Sequence, residues 1–214
     1  MKNHAAAILL AAGRSRRMGC CKQLLPLGQT TVIGRCLDTL VSGGINEIVV
    51  VVSEEGNEVA RAAGRYPVRV VVNPQADGDM ASSIRAGRDA LTVETGGVIV
   101  ALCDYPLVVA TTVARLIRTH IASPGSIIIP CHDGRRGHPL LLPRPVLDEL
   151  EGWLTLRDLV RLDPGRTRSL EVDDPGVLID MDTPEDYRRI CNAVAGFDVR
   201  RGDGGQDTDL RQGG

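Results

Sequence analysis

Residues 9–22, LLAAGRSRRMGCCK, bring an apolar run, small residues, two glycines and four cations into one short stretch. Small residues let the backbone approach a ligand, so the N–H groups around Gly13 can point at phosphate oxygens. Lys22 adds a mobile point charge. Such a charge is worth about 4 kcal/mol against an anion ~4 Å away at an effective dielectric near ~20. The chemistry this suggests is the holding of a polyphosphate. Two familiar phosphate sites are excluded by spacing. A Walker loop carries its lysine directly after the second glycine, and here Lys22 comes later than that after Gly19. A dinucleotide fingerprint, G-x-G-x-x-G, needs a glycine triplet, and only Gly13 and Gly19 are present. The reading without chemistry is a strand–helix turn with a solvated basic face. The coincidence of strand, small residues, glycines and cations argues against it.

Acidic residues supply the complementary half. Asp104 follows the apolar run VIVALC. Folding alone explains a carboxylate there poorly, whereas Mg²⁺ takes one or two carboxylates beside substrate phosphates. The competing reading is a turn residue ahead of Pro106. A second acidic segment, residues 179–187, is partly explained by helix capping, with Thr183 as N-cap, Pro184 at the first helical position and Asp186 two further on. Capping leaves Asp180 and Asp182 unexplained unless they are merely solvated. Residues 77–84, DGDMASSI, open a helix, where Ser82 or Ser83 either caps it or faces a ligand. The segment Gly134-Arg135-Arg136-Gly137-His138-Pro139 is either a Gly-rich hairpin or a cationic clamp for a phosphorylated substrate.

These residues must be positioned by a regular scaffold. Short β-rich apolar runs occupy residues 6–11, 47–52, 68–72, 98–102, 126–129, 140–142 and 177–179. Several are apolar at consecutive positions, which suits strands covered on both faces. Helix-length amphipathic stretches alternate with them at 31–42, 54–63, 81–91, 111–120, 145–150 and 184–195, the first stopped by Gly43-Gly44. The expected fold class is α/β, a three-layer α/β/α sandwich on a Rossmann-like, mostly parallel sheet. Ligands in such sheets bind beyond the carboxyl ends of the strands. That is where the loops after Ala11, Leu102 and Ile179 fall. One domain over residues 1–197 is expected, with Trp153 packing in a small cap over the site. Residues 198–214 are Gly-rich and polar and read as a disordered tail.

Composition narrows the partners. The 214 residues carry a net charge of −2 and only 2% aromatics. This points away from nucleic acid, which wants a basic surface or stacking platforms. The apolar N-terminal run is far too short for a membrane span. The six cysteines lack zinc or disulfide-framework spacing and read as reduced thiols in a cytoplasmic protein.

The stretch LAAGRSRRMGCCK resembles the signature L-x-[AG]-G-x-x-x-R-M-G-x-x-K of the molybdenum cofactor nucleotidyltransferases, within a superfamily of sugar-phosphate and methylerythritol-phosphate nucleotidyltransferases. The resemblance runs from Ala6 to about Ala195. It is similar in detail to the cytidylyltransferase branch, whose G-M-S-x-S and G-x-x-G-H-P segments are similar to residues 78–83 and 134–139. It implies transfer of CMP from CTP to the terminal phosphate of molybdopterin, with Mg²⁺ as cofactor and pyrophosphate released. Ala11, Ala12, Gly13, Arg17 and Lys22 would contact the nucleotide, with Leu10, Arg14, Gly19, Gly78 and Ser83 completing its site. Lys22, Arg17 and Asp104 would be the catalytic set. Asp104 and Asp182, with Asp180 close behind, would hold the metal. Arg136 and His138 would receive the acceptor. Ala12 stands where guanylyltransferases usually have glycine, which favours cytidine, and Tyr105 departs from the branch's D-Q-P. Three other readings stay open: a guanylyl donor, another phosphorylated acceptor, or a non-catalytic carrier serving a molybdenum hydroxylase.

Overall fold

The computed structural model describes residues 5–13, 18–75, 80–92, 95–152 and 154–202, with side chains described up to residue 196. Arg14, Arg17, Gly78 and Trp153 lie outside the described residues.

Strand β1 (Ala5–Leu10) is followed further along the chain by a 3-10 turn, Lys22–Leu24. A small hairpin, β2 (Pro26–Leu27) and β3 (Thr30–Thr31), leads to α1 (Val32–Ser42), N-capped by the Thr31 hydroxyl. Then follow β4 (Glu47–Ser53), α2 (Asn57–Ala63), β5 (Arg69–Asn73), α3 (Met80–Asp89), β6 (Gly97–Leu102), α4 (Ala110–Ala122) and β7 (Ile127–His132). The last third comprises β8 (Arg135–Arg136), β9 (Leu140–Pro143), α5 (Arg144–Asp148), α6 (Leu156–Leu162), β10 (Thr167–Glu171) and α7 (Pro184–Gly202). The boundary expected at residue 198 falls inside α7, and residues 203–214 lie outside the described ones.

The main sheet has the order β10-β7-β9-β6-β1-β4-β5, with β8 paired to β7. β1 pairs in parallel with both β4 and β6, β4 with β5 and β7 with β10, whereas β9 runs antiparallel between β6 and β7. The consecutive apolar residues are explained by the two faces of this sheet. Ala7, Leu9, Ile48, Val50 and Ile99 point into a core with α1, α2, α4 and α7. Their neighbours Ala6, Ile8, Val49, Val51 and Val98 point into a second core with α3, α5 and α6. Alternation of side chains across a strand makes both sets apolar only when both faces are covered. The three-layer α/β/α expectation therefore holds.

Residues 177–179 do not form the expected strand. They fall at the end of a 3-10 turn, Pro175–Leu178, in which Pro175 offers no N–H and the Asp174 carboxylate accepts from Gly176 N–H. The run is apolar because Val177 is fully buried, not because it joins the sheet. The edge position belongs to β10, whose TRSLE sequence is mostly polar because an edge strand buries little. Helix α2 starts at Asn57 rather than 54, after Gly56.

Because β9 is antiparallel, its amino end shares an edge with the carboxyl ends of β1, β4, β5 and β6. The loop after β1, Asn73 at the end of β5, Asp104 after β6 and His138 before β9 are gathered at that edge. The chain leaving β10 returns there too, since Met181 N–H donates to Asp104 O at 2.9 Å.

Candidate active site

The site begins with Lys22, which the 3-10 turn carries back against the sheet edge. Its ammonium donates to Asp104 Oδ2 at 3.0 Å, Asp182 Oδ1 at 3.1 Å and the Met181 carbonyl at 3.1 Å. Lys22 is 8% exposed. Burial by itself lowers its pKa, but the charge and hydrogen bond of Asp104, followed by those of Asp182, outweigh burial and hold the amine above its ordinary value. It is a charged group bridging two carboxylates. The sequence associated Lys22 with phosphate and the acids with metal, and the structure joins all three in one cluster.

Asp182 owes its position to its neighbours. Met181 is fully buried, so the residues flanking it are turned outward at the sheet edge. Beyond, Thr183 and Asp186 form the expected reciprocal cap, with Thr183 N–H donating to Asp186 Oδ2 at 2.9 Å and Asp186 N–H to Thr183 Oγ1 at 3.2 Å. Asp180 is exposed. Of the two acids, Asp182 is the one bonded to Lys22.

Next to this cluster opens a pocket of about 240 Å³. Leu10, Ala12, Gly13, Lys22, Ser83 and Asp104 all line it, so six of the expected residues share one cavity. Ala11 lies beneath, 4% exposed. Gly19 takes φ +67, a left-handed conformation that glycine adopts without strain, as the loop turns toward Lys22.

Two pocket residues belong to none of the motifs. Gln23 is buried next to Lys22, and its Nε2 donates to the carbonyls of Ala11 at 3.1 Å and Gly13 at 2.8 Å. Asn73 ends β5, and its Nδ2 donates to the hydroxyls of Ser82 and Ser83, each at 2.9 Å. The signal for Asn73 was a polar residue closing the apolar run VVVN at a strand's carboxyl end, the same signal that marked Asp104. Gln23 had a fainter one, an amide between a lysine and the apolar residues LLPL.

The far side of Asp104 differs in character. Tyr105 and His138 meet with ring centroids 5.0 Å apart and planes tilted by 50°. Burial raises the Tyr105 pKa, and the charges of Asp180, Asp104 and Asp182 add to the rise. Burial lowers that of His138, against the opposing charge of Asp104. The lowered pKa favours the neutral form of the His138 imidazole. Its Nδ1 is buried and has no hydrogen-bond partner among the described residues. Arg136 lies exposed on β8, opposite Cys131.

Asp104 and Asp182 place two hard carboxylate oxygens within 3.1 Å of one cationic nitrogen. That geometry suits a small oxygen-seeking divalent ion that keeps water and substrate phosphates as its remaining ligands. A fully protein-built cage is not present, since no group of three or more His, Cys, Asp or Glu that could hold a metal occurs among the described residues. Nor, among them, is any helix long and apolar enough to cross a membrane. All six cysteines are free thiols.

The chain is similar to known proteins along most of its length. A family profile described as a MobA-like NTP transferase domain matches residues 7–169. The nicotine blue oxidoreductase of Paenarthrobacter nicotinovorans is 33% identical over 195 residues, covering 86% of this chain and 94% of that protein. The molybdenum cofactor cytidylyltransferase of Escherichia coli K12 is 28% identical over 185 residues, covering 84% and 92%. Among solved structures, the Rv0371c protein of Mycobacterium tuberculosis H37Rv in complex with manganese superposes with a TM-score of 0.74 at 29% identity, covering 90% of this chain and all of that one.

Proposed function

The chain belongs to the MobA-like NTP transferase domain family and is a nucleotidyltransferase, and from that premise we propose that it transfers CMP from CTP to the terminal phosphate of a molybdopterin-type cofactor. The observation that carries this reading is the convergence of Lys22, Asp104 and Asp182, the first two of which line a pocket together with Ala12 and Gly13 of the loop. Ala12 in the loop and the cytidylyltransferase named above favour cytidine and the pterin acceptor.

In this reaction an acceptor phosphate oxygen forms a bond to the α-phosphorus of CTP, and the bond from that phosphorus to the bridging β-oxygen breaks, releasing pyrophosphate. No protein nucleophile is required, because positioning and charge stabilisation carry such transfers. The backbone at Ala12 and Gly13 holds the phosphates. Asp104 and Asp182 would hold the divalent ion, Mg²⁺ in this proposal. When bound, that ion neutralises negative charge on the transferring phosphate and the leaving pyrophosphate. Lys22 keeps the two carboxylates together and supplies a positive charge beside the phosphates. The Tyr105–His138 side takes the acceptor, with the neutral His138 ring presenting a hydrogen-bonding nitrogen, not a charge.

Pyrophosphate release measured with CTP, GTP, ATP and UTP, with and without molybdopterin acceptor, tests the proposal. CTP should be preferred and release should require acceptor and Mg²⁺. A GTP preference, or release indifferent to the acceptor, sinks the reading. A second reading, an oxidoreductase, is favoured by the name of the Paenarthrobacter relative. Consumption of a reduced nicotinamide without pyrophosphate release would support that one instead.

A further inference from the structure

Gln23 is 3% exposed and lies directly behind the phosphate loop. A carboxamide nitrogen carries two N–H groups. Both have acceptors here, the carbonyls of Ala11 at 3.1 Å and Gly13 at 2.8 Å. On the other side of the carboxamide, Oε1 accepts from the Cys21 thiol at 3.3 Å. The group thus has a fixed sense, nitrogen toward the loop and oxygen away from it. In a planar trans peptide the N–H points opposite to the preceding C=O. Holding the Ala11 carbonyl toward Gln23 therefore directs the Ala12 N–H to the other side of the loop. Among the described residues, no protein acceptor faces the N–H of Ala12 or Gly13, although both residues line the pocket.

We infer that Gln23 is the positioning residue of this loop, pinning the Ala11 and Gly13 carbonyls back so that the loop N–H groups stay directed at the triphosphate. The inference rests on the nucleotide reading above. It also assigns a division of labour to one 3-10 turn, in which Lys22 reaches the acids and Gln23 sets the amides. Gln23 also lines the pocket, and the role assigned to it here is to orient the loop. Its buried donors answer carbonyls that would otherwise be free to turn into the pocket and repel phosphate.

The test uses the full chain, with Gln23→Met as an isosteric variant lacking donors and Gln23→Glu as a titratable one. Binding of CTP and of inorganic tripolyphosphate is measured by competition against a fluorescent CTP analogue, and folding is checked by the thermal midpoint. Gln23→Met should weaken both probes alike, by roughly 10- to 100-fold, the scale of one or two hydrogen bonds. Gln23→Glu should bind worse still when ionised, since its carboxylate faces two carbonyls. It should recover as pH falls and its protonated acid again donates, a reversal that a merely structural role does not produce. If Gln23→Met weakens CTP but not tripolyphosphate, or neither, the positioning role is wrong. Should Gln23→Met fail to fold, the pH series of Gln23→Glu decides alone, and an absence of recovery overturns the role. A wild-type chain that binds no nucleotide overturns the underlying reading, and this inference with it.

Discussion

Lys22 and Asp104 stand 82 residues apart in the chain and 3.0 Å apart in space. The contact ties the loop after the first strand to the end of β6, and through Asp182 to the segment before the last helix. The phosphate side and the acidic side of the site are consequently not independent. Displacing the Lys22 ammonium leaves two carboxylates facing one another, which either repel or recruit another cation.

Lys22→Met and Asp104→Asn are each expected to lower CTP-dependent pyrophosphate release by roughly 100-fold or more, the scale of removing one charge-stabilising group from a transfer site. A variant that keeps more than about a tenth of the wild-type rate at saturating metal and nucleotide contradicts the assignment.

Asp180 and Asp182 should separate cleanly. Asp182 is bonded to Lys22 at 3.1 Å, whereas Asp180 is exposed and its charge acts on Tyr105. Asp182→Asn should raise the Mg²⁺ concentration for half-maximal activity by about 10-fold or more, while Asp180→Asn should shift it less than about 3-fold. Metal titrations of both variants check this, and equal shifts would remove Asp182 from the metal site.

The layers of the fold were legible because their cause is periodic. Consecutive apolar residues in β1, β4 and β6 announce two covered faces. Thr183 announced its cap for a similarly local reason. What stayed hidden depends on long-range partners. Residues 177–179 looked like a strand because one buried valine in a short apolar run carries no period, and β10 was missed because an edge strand needs little apolar character. Asp174 shows the limit plainly. It accepts from Val109 N–H and the Thr112 hydroxyl, and so caps α4 from more than sixty residues away. In the site, Lys22 and Asp104 could be named from residue type and spacing, but not that they touch. Gln23 acts on backbone carbonyls, and nothing local marks such a partner.

His120 gives a pH prediction. It is 2% exposed, its Nδ1 has no hydrogen-bond partner among the described residues, and burial depresses its pKa below the ordinary 6.5. The unfolded chain therefore binds a proton here more readily than the folded one. The resulting stability is fully present above pH 6.5 and is lost as pH falls from there toward the depressed folded value. His138 shifts in the same direction, while His132, hydrogen-bonded to the Val172 carbonyl, shifts the opposite way. The comparison that isolates His120 is between the wild type and His120→Leu. Calorimetry from about pH 7.5 to about pH 5.5 should show a falling midpoint in the wild type and a shallower fall in the variant. Parallel curves would mean that His120 is not held neutral by burial.

Gly137 tests the acceptor side. A Cβ there would lie 2.2 Å from the Val177 carbonyl oxygen and 2.7 Å from its carbon, both backbone atoms that cannot rotate aside. The same loop is clipped by Gly137 N–H to Pro130 O at 2.8 Å and by His138 N–H to Val177 O at 2.9 Å. Gly137→Ala must therefore push the His138 arm away from the 3-10 turn Pro175–Leu178. Overpacking of this kind costs about 1–3 kcal/mol, which should appear as a lowered thermal midpoint. The kinetic consequence should be one-sided. The acceptor KM should rise by roughly 10-fold or more, since a displacement of ~1 Å in a positioning group is enough for that. CTP affinity should stay within about 3-fold of wild type, because the pocket proposed for the nucleotide is built from the loop after β1, the Lys22 turn, the ends of β5 and β6 and α3, with no residue of the Gly137 loop. If Gly137→Ala instead weakens CTP and acceptor equally, the His138 arm does not form a separate acceptor wall and the division of the site at Asp104 is wrong.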